Sequence, residues 1–377
     1  MELYQKIYVK PTFLETEHGQ IPCEVCHGGD PRDADWQTAH KTVVRDPTAV
    51  NADRACCDCH EDVVAEAVHS LHYTLSPFRK AIAGRMGYHH VDFHNQVDRA
   101  MDNHCRACHA SCGQCHVSRP DYVGGGFLDR HHFKKTPPMD ITCASCHGGR
   151  VYGEYTGANE KYIADVHYES GDMTCMDCHK AAELHADGRG VKTRFDLPQR
   201  PRCDKCHEDA ISAESTIPSH QIHRDKVACQ VCHGQANKNC FVCHVGADRK
   251  GLPYFKCKNT TFLFKVGRNP YKSEDRPFEW VVLRHSPTDP GLFEYYVPGA
   301  LDNFDVIPTW KLDTPHNIRR ITPQNQACNN CHGNISIFLA KDDVSTGELK
   351  ANTGVWVCEE SIPTPVKTKT IKVKEVP

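Results

Sequence analysis

His104-Cys-Arg-Ala-Cys-His-Ala-Ser-Cys-Gly-Gln-Cys-His116 is the stretch on which the organisation of this chain depends. It contains two Cys-x-x-Cys-His motifs whose first cysteines, Cys105 and Cys112, are seven residues apart. In such a motif the two thiols can add across the vinyl groups of a haem while the adjoining histidine reaches the iron, so the pattern is typical of c-type haem attachment. Two attachment sites this close predict two haems held side by side.

The same motif recurs along the 377-residue chain. Ten copies use 20 of the 23 cysteines and leave Cys57, Cys257 and Cys358 outside any motif. The predicted thioether cysteines are Cys23, Cys26, Cys56, Cys59, Cys105, Cys108, Cys112, Cys115, Cys143, Cys146, Cys175, Cys178, Cys203, Cys206, Cys229, Cys232, Cys240, Cys243, Cys328 and Cys331. The predicted proximal iron ligands are His27, His60, His109, His116, His147, His179, His207, His233, His244 and His332. The cofactor prediction is therefore ten c-type haems.

Zinc is the main alternative for any single Cys-x-x-Cys pair. A zinc ribbon needs two such pairs converging on one metal ion, and the histidine that follows each of the ten pairs would then have no purpose. A disulfide scaffold would suit the cysteine count but not the regular spacing. The repetition favours haem. The pairing of Cys257 with Cys358 stays open.

Histidines outside the motifs decide whether the irons are closed or open. Sixteen of the 26 histidines lie outside the motifs. A second histidine on the distal face of a haem closes the iron and suits electron transfer, whereas an open face permits chemistry. The predicted distal ligands are His18, His69, His72, His94, His132, His167, His185, His220, His223 and His316, with His40, His104 and His285 in reserve. One of His69 and His72 could be merely structural.

Composition excludes several classes of function. The formal charge is −3, so no basic surface for nucleic acid is indicated. No apolar run approaches the roughly 20 residues of a membrane span. Covalent haem attachment occurs outside the cytoplasmic membrane, yet the chain begins Met-Glu-Leu without an apolar leader. We therefore expect the numbering to start at a mature N-terminus or at an added methionine.

The spacing of the motifs predicts a multihaem cytochrome of mostly irregular coil with short α-helices wrapped on haems. We expect a nine-haem region over 1–250, a haem-poor β-rich insertion over 251–327, and the tenth haem with an extended tail over 328–377. Helical periodicity is clearest at 62–73. Strand-like runs occur at 261–266, 279–283 and 293–297. The tail has an edge-strand pattern that would suit pairing with a neighbouring subunit or docking on its own chain.

The segment from His131 to His185 resembles a known group of enzymes. Its motifs are Cys143-Ala-Ser-Cys-His-Gly-Gly-Arg150, Asp165-Val-His-Tyr168, Met173-Thr-Cys-Met-Asp-Cys-His179 and Glu183-Leu-His185. They are similar to those of the octahaem tetrathionate reductase and hydroxylamine oxidoreductase group. The resemblance implies His167 and His185 as distal ligands. The chain departs from that group in having ten motifs, a β-rich insertion and surplus histidines. Some relatives of such cytochromes polymerise into haem-lined extracellular filaments.

These observations lead to a functional expectation with two alternatives. We expect an exported electron-transfer protein, extracellular, at the cell surface or periplasmic, that forms a homo-polymer through haem-to-haem subunit contacts. Its partners would be other cytochromes or external electron acceptors, without nucleic acid and without a membrane span. One alternative is a reductase of a small sulfur or nitrogen compound with one open haem. The other is a soluble monomeric shuttle.

Overall fold

The structure is a computed structural model that describes residues 8–50, 55–86, 91–105, 111–120, 123–158, 163–258 and 260–367. Three sequence predictions fall outside these residues: Cys108, His109 and the strand expected in the tail at 368–377. The backbone of His94 is described, but its side chain is not.

Short helices dominate the first two thirds of the chain. Gly and Pro are frequent, at 25 and 23 residues, and both interrupt helices. The longest helix described spans 14 residues. The α-helices are α1 (Cys23–His27), α2 (Trp36–Ala39), α3 (Pro47–Val50), α4 (Cys57–Ala67), α5 (Leu71–Thr74), α6 (Ser76–Ala83), α7 (Val91–His104), α8 (Cys112–His116), α9 (Ala144–His147), α10 (Gly153–Thr156), α11 (Val166–Glu169), α12 (Cys175–Cys178), α13 (Ala181–Leu184), α14 (Glu208–Ile211), α15 (Pro218–His223) and α16 (Cys229–His233).

Helical turns of other pitch connect these elements. Two π-helical turns, Met139–Cys143 and Gly148–Tyr152, enclose α9. The 3-10 turns are Pro11–Glu15, His18–Gln20, Cys203–Lys205, Pro323–Asn325, Cys328–Asn330, Ile335–Ile337, Lys341–Asp343, Thr346–Glu348 and Glu359–Ser361.

Three small antiparallel sheets lie in the later part of the chain. Their strands are β1 (Asn237–Lys238), β2 (Val242–Ala247), β3 (Pro253–Lys258), β4 (Phe262–Leu263), β5 (Lys265–Arg268), β6 (Trp280–His285) and β7 (Trp310–Leu312). β1 pairs with β4, β2 with β3, and β5, β6 and β7 form one sheet in that order.

The larger apolar core is built on the three-stranded sheet. Val266, Val282 and Leu283 pack with Phe338 and Val355 from the last part of the chain. A second cluster joins α7 to the segment that follows β6, where Phe293 and Leu301 are buried. Between residues 106 and 227, by contrast, the described apolar core is a small cluster around Val191 and Leu197. Haem faces would supply the apolar surface that this part of the chain lacks.

Most of the sequence predictions for secondary structure are confirmed, and one predicted strand is wrong. Helix is present over most of 62–73, split between α4 and α5, and strands occupy much of the runs at 261–266 and 279–283. The strand expected at 293–297 is wrong: this segment forms turns, because Phe293 anchors it in the second apolar cluster. The boundary expected at residue 250 falls within the β2–β3 hairpin. The larger core joins 266–283 to 338–357. The residues expected to form an insertion therefore pack against the segments on either side of them.

A helix that crosses a membrane must be long and apolar. In the parts of the chain that the structure describes, no helix combines the length and the apolar character needed to cross a bilayer.

Leu283 tests the larger core. Its side chain is 0% exposed at the centre of the three-stranded sheet. Leu283→Ala should lower the free energy of unfolding by about 2–5 kcal/mol, since the lost transfer energy is augmented by a cavity. Denaturant titration followed by circular dichroism measures the change. The control is Leu252→Ala, at a position 60% exposed in the β2–β3 turn, where a shift of comparable size would contradict this assignment of the core.

Candidate functional site

Eight of the nine motifs that the structure describes in full adopt a helical turn. They begin at Cys23, Cys56, Cys112, Cys143, Cys175, Cys203, Cys229 and Cys328. Backbone hydrogen bonds close the turns; the amide of His60 donates to the Cys56 carbonyl at 2.8 Å and that of His332 to Cys328 at 2.9 Å. Residues three and four apart share one face of a helical turn. Each turn therefore presents two thiols and a histidine to the same side.

Each of these eight motif histidines faces a second histidine from elsewhere in the chain. The separations of the ring centroids fall between 6.0 and 6.4 Å. The pairs are His27 with His131 (6.0 Å), His60 with His18 (6.1 Å), His116 with His185 (6.1 Å), His147 with His72 (6.2 Å), His179 with His316 (6.4 Å), His207 with His167 (6.0 Å), His233 with His220 (6.0 Å) and His332 with His223 (6.1 Å).

This separation suits two imidazoles bound to opposite sides of one metal ion. A metal–imidazole nitrogen bond is about 2.0 Å long, and each ring centre lies roughly 1 Å behind its nitrogen, which gives about 6 Å between centroids. Two imidazoles in direct contact would have a shorter distance between their ring centroids. Within the described residues the histidines meet in pairs, and no group of three or more His, Cys, Asp or Glu side chains is placed to hold a metal ion. A haem iron with one axial histidine on each face fits this arrangement.

Hydrogen bonds to the motif histidines leave the nitrogen that faces the partner available. Nδ1 of His27 donates to the Val44 carbonyl at 2.8 Å, and Nδ1 of His116 donates to that of Lys134 at 2.7 Å. The acceptor for His179 Nδ1 is a Glu183 carboxylate oxygen at 2.8 Å. A proton held on Nδ1 places the lone pair on Nε2, which is the tautomer a metal ligand requires.

Two of the opposing histidines are held in the same way. Nδ1 of His167 donates to a carboxylate oxygen of Asp165 at 2.7 Å, and that of His223 to the Ser219 carbonyl at 2.8 Å. Asp165 is buried, and its other oxygen accepts from the Ile318 amide at 2.7 Å. The hydrogen bond from Asp165 raises the pKa of His167. Such outer contacts fix the orientation of a ligating ring and strengthen it as a donor.

The pKa values of two of the opposing histidines are lowered by their surroundings. Desolvation, with a contribution from His147, lowers the pKa of His72 to about 4. Desolvation and the nearby His179 lower that of His316, also to about 4. At neutral pH both rings therefore carry an unprotonated nitrogen, as a metal ligand must.

Seven of the ten predicted distal histidines stand opposite a motif histidine: His18, His72, His167, His185, His220, His223 and His316. The structure places the other two described side chains differently. His69 is exposed. His132 hydrogen-bonds through Nε2 to the Thr12 hydroxyl at 3.1 Å. The side chain of His94 lies outside the described residues.

His131 takes the place that the sequence analysis assigned to His132. Its ring lies 6.0 Å from that of His27 and contacts Phe13 and Phe127 at 4.5 and 4.9 Å. Arg130 and His131 have φ of 49° and 77°, which are unusual for residues with a side chain. This backbone reversal turns His131 toward His27. Neighbouring histidines cannot be told apart by spacing from a motif, so the sequence carried no signal for the choice.

The reserve histidines have other partners. Nε2 of His104 lies 2.7 Å from the Tyr296 hydroxyl, and that of His285 lies 2.8 Å from a Glu348 carboxylate oxygen. His40 is bound through Nδ1 to the Trp36 carbonyl at 2.8 Å. None of the three has a motif histidine opposite it among the described residues.

Thiol contacts arrange the eight paired motifs in one row. The first thiols of three motif pairs hydrogen-bond: Cys56 with Cys112, Cys143 with Cys175, and Cys203 with Cys229. Electrostatic interactions of second thiols relate these pairs to each other and to the end motifs: Cys26 with Cys59, Cys115 with Cys143, Cys178 with Cys206, and Cys232 with Cys331. The row therefore follows the order of the sequence from Cys23 to Cys328.

Cys105 and the motif at Cys240 lie beside this row. The side-by-side placement of haems expected at Cys105 and Cys112 stays a prediction, because residues 106–110 lie outside the part of the chain that the structure describes. Cys112 contacts Cys56 in the row, whereas Cys105 is an electrostatic neighbour of Cys243. Cys105 also packs against the second apolar cluster, to which β2 contributes Val245.

Buried charges surround the His179–His316 pair. The carboxylate of Asp313 is fully buried and lies 3.1 Å from Arg284 Nη1 and 3.5 Å from Arg150 Nη1. Arg150 Nη1 is also 3.5 Å from a buried oxygen of Glu154, whose other oxygen accepts from the His316 amide. Desolvation raises the pKa of Glu154.

The charges in this cluster do not cancel. A third arginine, Arg194, donates to the Leu312 carbonyl at 3.0 Å, and burial lowers its pKa to about 10. Three partly buried guanidinium groups thus share two buried carboxylates. Buried charges need partners, and the two propionate groups of a haem would supply negative charge of the kind that guanidinium binds best. The residues present therefore fit a haem here.

Comparisons with known proteins add a distant relative. No protein-family profile matches the chain, and no solved structure matches it. The chain is similar to an uncharacterized protein of Archaeoglobus fulgidus, with 22% identity over 224 residues. The match covers 56% of this chain and 64% of the relative's length.

His131 and His132 test the axial assignment. In the haem-loaded protein, His131→Ala should convert one iron from six-coordinate low-spin to high-spin, because the imidazole opposite His27 is lost. Electron paramagnetic resonance and the visible spectrum report the change. His132→Ala is the matched control and should keep the spectrum of the parent chain. A high-spin signal in the control, with none in the His131 variant, would reverse the assignment.

Asp313 tests the buried charge cluster. Asp313→Asn should lower the free energy of unfolding by about 3–5 kcal/mol, since two buried arginines lose their shared partner. Thermal or denaturant unfolding measures it. Asp305→Asn provides the comparison, because Asp305 pairs at 3.2 Å with the exposed Lys350 and such pairs contribute about 0–1 kcal/mol. Equal effects of the two substitutions would contradict the role given to Asp313.

Proposed function

We propose that this chain is an exported multihaem c-type cytochrome that conducts electrons along a closely spaced row of haems. The observation that carries the proposal is the coincidence of three features at the same eight motifs: a helical turn with two thiols, a histidine opposite the motif histidine, and thiol contact with the next motif. A zinc-binding or disulfide scaffold would require none of the opposed histidines.

The cofactor class fits the donor set. Thioether attachment would use the paired cysteines, and the axial ligands would be the eight histidine pairs. A bound haem supplies reversible one-electron exchange at its iron, and its potential depends on axial ligands, burial and nearby charge. The chain's own residues would hold axial rings through Nδ1, as Asp165 does for His167 and Glu183 for His179. Arg150 and Arg194 would place positive charge beside the His179–His316 pair.

Electron transfer is favoured over catalysis by the same pairing. A reductase of a small sulfur or nitrogen compound needs an iron with an open face. At each of the eight motifs in the row, a second imidazole lies about 6 Å from the motif histidine and would occupy the face of the iron that a substrate needs. The cationic cluster of Arg150, Arg194 and Arg284 lies beside one of these closed pairs.

Polymerisation into an extracellular or cell-surface filament is the assembly we propose. Its support is the linear order of the row, with the motif at Cys23 at one end and the motif at Cys328 at the other. Both of these first cysteines are exposed, so either end can approach another copy or an external acceptor. A row that ended inside the protein would not serve this purpose. A periplasmic location would suit the same electron-transfer chemistry.

The test uses protein produced with a c-type haem maturation system. Intact mass and the pyridine haemochrome spectrum should show covalent haem, with low-spin bis-histidine spectra at the paired sites. Negative-stain images should show filaments. A protein without covalent haem would overturn the proposal, and a monodisperse monomer would replace the filament with a soluble shuttle.

A break in the row should stop conduction. Cys143→Ala combined with Cys146→Ala removes one attachment site in the middle, so current across a protein film should fall by orders of magnitude while the other haems remain. Cys358→Ala is the control, because Cys358 is exposed and belongs to no motif. Unchanged current in the double variant, at one haem fewer by mass, would show that electrons do not follow this row.

A further inference from the structure

The motif Cys240-Phe-Val-Cys243-His244 differs from the eight motifs in the row. It is extended instead of helical, and its last three residues lie in β2. Successive side chains of a strand point to opposite faces, so Cys243 and His244 are directed apart. In the helical turns of the other motifs, the corresponding cysteine and histidine face the same side.

Each thiol of this motif has its own partner. Cys243 lies directly opposite Cys257 in the β2–β3 ladder, and the two thiols hydrogen-bond to each other. The thiol of Cys240 accepts a hydrogen bond from the Ser286 hydroxyl at 3.3 Å, and the Cys240 amide donates to the His285 carbonyl. The two thiols are thus directed to different strands and not to a common haem edge.

The histidine of this motif is also engaged differently. Nε2 of His244 lies 3.2 Å from a carboxylate oxygen of Asp289. In His27, His116 and His179 the hydrogen-bonded nitrogen is Nδ1, which leaves Nε2 for a metal. No second histidine stands opposite His244 among the described rings. The helical turn, the common face for thiols and histidine, and the free Nε2 that suit haem in the row are therefore missing from this site.

We propose that Cys243 and Cys257 form a cross-strand disulfide and that the motif at Cys240–His244 carries no haem. Opposite residues of an antiparallel pair have Cα atoms about 4.5 or 5.5 Å apart, and both values lie within the range of about 4.4–6.8 Å found for disulfides. The bond would fasten β3 to β2 beside the second apolar cluster. It also gives Cys257, which belongs to no motif, a role.

The bond would arise by thiol–disulfide exchange with a protein or small-molecule disulfide of the oxidising compartment. The exposed Cys257 is accessible to that oxidant, whereas Cys243 is partly buried. Cys257 attacks the incoming disulfide and releases one thiol, and Cys243 then displaces the second. Two protein thiols are oxidised to one disulfide, and the oxidant is reduced to two thiols that keep the two protons.

This inference rests on the proposed function for its oxidising compartment, but it can fail separately. The haem-loaded protein is alkylated under denaturing conditions without reduction, digested and analysed by mass spectrometry. We expect a peptide that links Cys243 to Cys257 and carries no haem. A haem-bearing peptide with Cys240 and Cys243, or alkylation of both Cys243 and Cys257, would overturn the inference.

Two variants distinguish the proposed disulfide from the proposed electron-transfer function. Cys243→Ser should leave the haem count unchanged and make Cys257 reactive to alkylation, whereas Cys331→Ser, in the row, should lose one thioether and perturb one haem. Loss or perturbation of a haem in the Cys243 variant would overturn the disulfide while the proposed electron-transfer function stands. Absence of covalent haem from every motif of the parent chain would instead overturn the proposed function.

Discussion

Two imidazole rings held about 6 Å apart by separate parts of the chain are the constraint on which this structure depends. Eight such pairs tie motif histidines to residues that are distant in sequence, as when His179 faces His316 and His147 faces His72. Each pair determines where two segments of coil must lie, in a region where a conventional apolar core is small. An iron between the rings would make the link a bond, so cofactor binding and folding would be coupled.

The division between row and core follows from this constraint. The helical motifs succeed one another in sequence order because each turn contacts the next through its cysteines. Cys105 adjoins the second apolar cluster, as does β2, which contains the end of the motif at Cys240; ordinary side chains supply the burial there. Of the closely spaced motifs at Cys229 and Cys240, the first therefore belongs to the row and the second lies at its flank.

Buried charge adds a second organising feature. Arg150, Arg194 and Arg284 gather where β7 and the following segment meet the His179–His316 pair, and their charge exceeds that of Glu154 and Asp313. Positive charge near an iron favours its reduced state, and carboxylates of a bound haem would offset part of it. The interior of the chain thus places positive charge, as well as paired histidines, at this position.

The sequence by itself was sufficient to predict the attachment sites and the proximal histidines, because the chemistry of Cys-x-x-Cys-His is contained in five adjacent residues. It also identified most of the histidines that stand opposite them. Tertiary structure alone decided the pairing: His18 precedes the motif at Cys23 but faces His60, and the backbone at His131, not its spacing, distinguishes it from His132. It also separated Cys240–His244 from the other motifs, because only strand pairing places Cys257 opposite Cys243. Contacts between residues far apart in sequence depend on the path of the whole chain, which local pattern does not contain.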